Sequence, residues 1–272
     1  MLRSLLAVAL LAACGADPAV DDFAGPAGGD GKADGPGDGW TGVGFGVEYQ
    51  RVNTGNAIVI AYGGYTARLG HAAAWASELV DVKLGAADVG QIYAVQGPAD
   101  AAYDGREIGN SALRAHLATI DDGTSPIYVI AHSSGSYVAH ELLGQLQRAG
   151  KTDVLSRITY ACLEGGGAGL DQDIVDSLHA ITFVYAHDPS LAHGYSQNAG
   201  AEQGLAAQYA PHATAYDVVV PATGCDDGAG WCMHDVVVTH RPHHSWSYDL
   251  ADDYTDFVDR PLTTEYLDSL VH

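Results

Sequence analysis

The sequence predicts an α/β domain, a mostly parallel central sheet with helices on both faces. Three observations carry that expectation. Short apolar runs rich in β-branched residues recur along the chain, segments of helical period lie between them, and the runs are continuously apolar, as strands covered on both faces are. The runs are 57–62 (AIVIAY), 91–95 (QIYAV), 127–131 (IYVIA), 158–163 (ITYACL), 181–186 (ITFVYA) and 216–220 (YDVVV). Helices are predicted over 71–82, 106–120, 136–146 and 170–179. In the third, Ala139, Leu142, Leu143 and Leu146 fall at i, i+3, i+4 and i+7, a stripe that packs on a sheet. Alternating strands and helices imply parallel pairing through right-handed crossovers. Residues 40–51 are expected to add one or two leading strands.

The chain has 272 residues, 47% of them hydrophobic, which is enough for a sizeable core and excludes disorder along the whole length. Its 12 Lys and Arg stand against 34 Asp and Glu, a formal net charge of −22. Such a surface repels phosphate, so a nucleic-acid partner is not expected.

Residues 1–14 hold a basic start at Arg3, an apolar run over 5–13 and then Cys14. A permanent span needs about 20 apolar residues, so this run reads as an export signal. Leu11-Ala12-Ala13-Cys14 resembles the lipobox of bacterial lipoproteins, which implies cleavage before Cys14 and a lipid on its thiol. An ordinary secretory signal is the alternative. Residues 15–39 contain eight Gly, three Pro and six Asp, the composition of a flexible tether. The remaining residues, 40–272, carry 10 basic and 28 acidic side chains and form the expected folded domain. The expected location is the cell envelope, with the membrane reached through the Cys14 lipid; secretion is the alternative.

The most informative stretch is IYVIAHSSGSYVAHELLGQL, 127–146. A strand runs into Ala131-His132-Ser133-Ser134-Gly135 and then directly into a helix. That demands a sharp turn at Ser133, with small residues two before and two after it where strand and helix nearly touch. The pattern resembles the G-x-S-x-G nucleophile elbow of α/β-hydrolases such as lipases and esterases, with Ala131 in place of the first glycine. The resemblance covers residue 57 to an expected C-terminal helix near 263–271. It implies the α/β-hydrolase fold without a separate cap domain, Ser133 as nucleophile, and the chain order serine, acid, histidine.

The same resemblance implies an oxyanion hole after an early strand. Gly63-Gly64-Tyr65 follows 57–62, so the N–H of Tyr65, or of Gly64, is expected to pair with that of Ser134. For the acid, the family's usual position falls on Asp188, at the end of ITFVYAHDP; Glu164, in LEGGG after the preceding strand, is the rival. For the base, the segment GCDDGAGWCMHDVVVTHRPHHSW offers His234, His240, His243 and His244. His234 is preferred because Cys225 and Cys232 flank a short loop just before it, and in an exported protein the two are expected to form a disulfide that restrains its backbone. His243 and then His240 are the alternatives. Asp226 or Asp227 resembles the acid position of cutinases, but the extra strand at 216–220 makes that likeness partial. Cys162 reads as a small buried hydrophobe.

A metal site at His240, His243 and His244 is the competing reading of the same cluster, yet the HExxH pattern is missing, and neither a metal nor an organic cofactor is expected. Trp75, Tyr195, Trp246 and Tyr248 are residues that either line the cleft or pack in the core. The expected activity is hydrolysis of small-molecule or lipid esters through Ser133, Asp188 and His234. Alternatives are a peptidase or acyltransferase on the same residues, or a non-catalytic surface lipoprotein that kept the fold. Mass spectrometry of the mature protein should find a diacylglyceryl group on Cys14; a mature chain without it removes the anchor.

Overall fold

In the computed structural model the described residues are 39–44, 46–64, 67, 69–78, 88–98, 109–165, 169–219, 230, 233, 234 and 237. In chain order they form β1 (Thr41–Gly44), β2 (Val47–Arg51), β3 (Ala57–Tyr62), α1 (Leu69–Glu78), β4 (Val89–Val95), α2 (Asn110–Ile120) and β5 (Ile127–His132). There follow α3 (Gly135–Arg148), α4 (Thr152–Leu155), β6 (Ile158–Leu163), α5 (Gln172–Val175), β7 (Ala180–His187), α6 (Ala199–Gln208) and β8 (Ala213–Val219). The strands make one eight-stranded sheet in the order β1-β2-β4-β3-β5-β6-β7-β8. β2 runs antiparallel to both its neighbours, and every pair from β4 to β8 is parallel. This mostly parallel sheet, with helices on its faces and a tight β5 to α3 junction, is the predicted α/β-hydrolase fold.

Period-two alternation sorts the strand residues between two cores. Ile58, Ile60 and Tyr62 of β3, Ile127 and Val129 of β5, and Ile158 and Tyr160 of β6 face one side. There they meet Leu113 and Leu117 of α2, Val138, Leu142 and Leu143 of α3, and Leu205 of α6. Val59 and Ala61 of β3, Ile130 of β5 and Leu163 of β6 face the other side, against Ala72, Trp75 and Ala76 of α1 and against Met233 and Val237. Both faces of the central strands are therefore dry, which is why their sequences are apolar at nearly every position. Trp75 is 1% exposed and belongs to this core, so it does not line a cleft.

The short α4 was not foreseen, and three further elements depart clearly from expectation. The predicted helix over 170–179 shrinks to the single turn of α5, because the His179 N–H donates to Ile158 O at 3.0 Å and draws the chain into β7. α6 was not foreseen. Its sequence, AGAEQGLAAQ, carries Gly200 and Gly204 and buries Ala199, Glu202, Leu205 and Ala206, a face of small residues around a carboxyl that leaves no hydrophobic stripe. β8 starts three residues before its apolar run, since Ala213–Ala215 pair with Ile181–Phe183 whatever their own β propensity. The expected leading strands are β1 and β2. The expected C-terminal helix lies outside the described residues.

The junction of β3, β5 and α3 tolerates only glycine at Gly135, where a Cβ would collide with the carbonyl oxygens of Gly63 and Tyr62. Gly135→Ala should lower stability by about 1–3 kcal/mol through overpacking, measured as a shift in the urea midpoint at constant m.

Candidate active site

Two residues other than glycine have positive φ among the described residues, Ser133 at 51° and Glu164 at 53°. Each follows the last residue of a central strand, Ser133 after β5 and Glu164 after β6. Such backbone costs about 1–3 kcal/mol per residue and persists only where its surroundings hold it. At Ser133 the hold comes from its N–H, which donates to Leu163 O at 2.8 Å, and from its carbonyl, which accepts the Ser136 N–H at 3.0 Å. At Glu164 the N–H donates to Val184 O at 2.9 Å. β5 and β6 are in register with His132 opposite Leu163. One residue further on, the two left-handed positions therefore stand side by side at the carboxyl edge of the sheet.

His234 bridges them. Its Nε2 lies 2.8 Å from Ser133 Oγ, and its Nδ1 lies 3.2 Å from Glu164 Oε2. With a carboxylate on one side, the consistent tautomer has Nδ1–H donating to Glu164 and Nε2 accepting the Ser133 hydroxyl proton. The imidazole is buried, and Glu164 is 0% exposed. Next to His234, Met233 is buried in the core under α1, which anchors the segment. The ring of His132, inside the elbow, packs at 5.3 Å from that of His234.

The carboxylate of Glu164 is satisfied from several directions, as a buried charge must be. Oε1 accepts the Ser196 hydroxyl, Oε2 accepts the Asn198 N–H at 3.2 Å, and the Glu164 carbonyl accepts Asn198 Nδ2 at 2.9 Å. Ser196 is itself fixed, its Oγ accepting the Ala186 N–H at 2.9 Å and its N–H donating to Ala186 O at 2.9 Å. The same loop also holds the segment that carries His234. The Gln197 N–H donates to Gly230 O at 3.0 Å, and Gly230, at φ 76°, has no room for a Cβ against Tyr195 O and Gln197 N.

The partner of His234 expected at Asp188 is therefore corrected: the carboxylate against His234 Nδ1 is that of its rival, Glu164. The reason is register: β6 pairs with β5 so that Glu164, in its left-handed turn, emerges beside Ser133 and reaches the imidazole that bonds it. The Asp188 carboxylate bonds within its own loop. Its Oδ1 accepts the Ser190 N–H at 2.9 Å and the Ser190 hydroxyl at 2.5 Å. Its backbone N–H donates to Gly194 O at 2.7 Å, closing residues 188–194. Asp188 thus shapes the loop that delivers Ser196 and Asn198 to Glu164.

Gly63 and Gly64 lie beside the elbow, as the loop after β3 requires. Gly63 N–H donates to Val95 O at 2.9 Å, and Gly64 O accepts the Ala67 N–H at 3.0 Å. Gly97 packs so closely on Gly64 that a Cβ there would strike its carbonyl. Ser134 forms the N-cap of α3, at the end of the helix where backbone donors point outward. Tyr65, His240, His243, His244, Cys225, Cys232, Cys14, Trp246 and Tyr248 lie outside the described residues. Tyr195 is 47% exposed and stacks on His187 with centroids 3.9 Å apart. Sequence reasoning missed Ser196 and Asn198, polar residues in an aperiodic loop with no pattern to single them out, and the contact of His132 with His234. Among the described residues no group of three or more His, Cys, Asp or Glu has a metal-binding arrangement.

Among solved structures, the chain is similar to the poly(3-hydroxybutyrate) depolymerase LpqC from Bordetella parapertussis, at 17% identity over 76% of this chain and 87% of that one, with a TM-score of 0.36. It is also similar to a thermostable esterase, at 14% identity over 69% of this chain and 54% of that one, with a TM-score of 0.40. No family model and no curated protein sequence matches the chain.

Ser196→Ala would strip Glu164 Oε1 and the Ala186 N–H of a partner in a dry site. It should lower stability by about 1–3 kcal/mol, read from urea denaturation.

Proposed function

We propose that this protein is a serine hydrolase of carboxylic esters, with Ser133 as nucleophile, His234 as general base and acid, and Glu164 orienting the imidazole. The observation that carries this reading is the hydrogen-bonded chain Ser133 Oγ, His234 Nε2, His234 Nδ1 and Glu164 Oε2, at 2.8 and 3.2 Å, beginning at a strained strand-to-helix turn.

The chemistry follows from the chain. Ser133 Oγ attacks the ester carbonyl carbon while its proton passes to His234 Nε2. The carbonyl π pair moves onto oxygen, and Glu164 stabilises the imidazolium that forms. The N–H groups of Ser134 and of the loop at Gly64 and Tyr65 serve as the oxyanion donors; one such donor is worth about 100- to 1,000-fold in turnover. Collapse breaks the bond to the alcohol oxygen, which takes the proton from His234. Water, deprotonated by the same imidazole, then releases the acid and restores Ser133. Short connections between the predicted strands and helices favour soluble or surface-presented esters over deeply enclosed lipids. A Cys14-anchored protein would meet such substrates in the cell envelope.

Incubation of the folded protein with a fluorophosphonate should give a single covalent adduct on Ser133; a folded protein that forms none overturns the reading. With p-nitrophenyl esters, Glu164→Gln should lower kcat by about 10,000-fold, as expected for a lost orienting carboxylate. Asp188→Ala should act chiefly on stability. The reverse pattern, with Asp188→Ala inactive and Glu164→Gln active, would return the acid to Asp188. Peptide turnover or acyl transfer to added alcohols exceeding ester hydrolysis would point to a peptidase or acyltransferase on the same residues.

A further inference from the structure

A second buried carboxyl stands behind the acid. Glu202 of α6 is 0% exposed, and its Oε1 accepts the Gly165 N–H at 2.7 Å and the Cys162 thiol at 3.6 Å. Gly165 follows Glu164 directly, and its position is tightly determined. A Cβ there would collide with Cys162 Sγ and come within 2.9 Å of Ser136 Cβ and Oγ. The Gly165 carbonyl accepts the Ser136 hydroxyl at 2.7 Å, and the Ser136 N–H is the group that holds the Ser133 carbonyl. The peptide after the acid is thus gripped at its N–H by Glu202, and the next carbonyl by the helix that carries the nucleophile.

We propose that Glu202 is a positioning residue of the site: through the Gly165 N–H it holds the left-handed turn that aims the Glu164 carboxylate at His234. The proposal rests on the hydrolase reading of Ser133, His234 and Glu164 and deepens it. α6 has no other buried polar side chain on this face, and a carboxyl inside a core has a cost that an apolar residue would avoid. Its service to the backbone of the acid accounts for it.

The protonation state of Glu202 follows from its neighbours. Burial, and then the charge of Glu164, push it up to about 8, so it is mostly neutral at pH 7. On the β6 side it faces Cys162 and, behind it, Tyr160, both raised by burial and neutral; His140 of α3, bonded to Tyr160 at 2.9 Å, is pushed down to about 4 by burial and is also neutral. Among the described residues, Glu164 is the charged group that Glu202 confronts. A carboxyl raised by folding adds stability below the ordinary carboxylate range, and this is lost as the pH climbs through about 8. Ionised Glu202 would repel the carboxylate whose backbone it holds.

The test uses the full chain and two readouts: ester turnover, and the proton NMR resonance of His234 Nδ1–H, which moves far downfield when it donates to a carboxylate. Glu202→Ala should weaken the downfield resonance and lower kcat by up to about 100-fold with KM little changed, the penalty of a misplaced group. Glu202→Gln keeps an acceptor for Gly165 and cannot ionise. It should retain resonance and turnover at pH 7, and lose the change in both that is expected of the unaltered protein as Glu202 ionises near pH 8. A folded Glu202→Ala with unaltered resonance and kcat overturns the proposal. If Glu202→Ala does not fold, Glu202→Gln decides, and an alkaline change equal to that of the unaltered protein overturns it. Should Ser133 resist the fluorophosphonate while the resonance responds as described, the positioning role stands and the hydrolase reading falls.

Discussion

The register between β5 and β6 is the constraint on which the rest of the site depends. Because His132 sits opposite Leu163, the next residue of each strand emerges at the same height, and both turn left-handed there. One of these positions carries a hydroxyl and the other a carboxyl. The space between them accepts one imidazole, bonded at 2.8 Å on one side and 3.2 Å on the other. A slip of one residue in that ladder would turn every side chain of β6 to the opposite face and carry Glu164 away from His234.

Strain and close approach maintain this arrangement. Two unfavourable backbone conformations, each of about 1–3 kcal/mol, are offset by the dry core beneath them and by backbone hydrogen bonds to the neighbouring strands. Gly135 lets α3 start against the Gly63 carbonyl, so Ser133 and the glycine loop after β3 share one packed junction. Gly165 and Gly230 play comparable parts beside Glu164 and on the segment of His234, each in a place where a side chain has no room. The loop after β7 ties these parts together, since Ser196 and Asn198 hold Glu164 while Gln197 holds Gly230. Asp188 belongs to this support as the residue that closes the loop.

The fold was legible from the chain wherever burial on both faces left a continuous apolar run. β3 and β6 have the boundaries that their residues suggest, and β5 runs one residue longer. The elbow was legible for a related reason: a strand passing into a helix without a connecting loop needs small residues at fixed offsets from its serine. α6 was not legible, because its buried face is made of Ala, Leu and a carboxyl, and two glycines dilute its helical signal. The choice of acid was not legible either, since both Glu164 and Asp188 end apolar strands followed by turn-forming residues.

By itself the sequence determined the class of the fold, the position of the sharp turn and the residue at its apex, because these depend on side-chain size and polarity within about 20 consecutive residues. It also narrowed the histidine that would face Ser133 to a short segment and the carboxylate beside it to two positions. Tertiary structure decided which carboxylate meets the imidazole, through the register of β6 on β5 and the placing of His234 between their ends, relations between residues far apart in the chain. It likewise decided that Ser196 and Asn198 support Glu164 and that Glu202 stands behind it, since hydrogen bonds between distant loops and helices leave no local pattern.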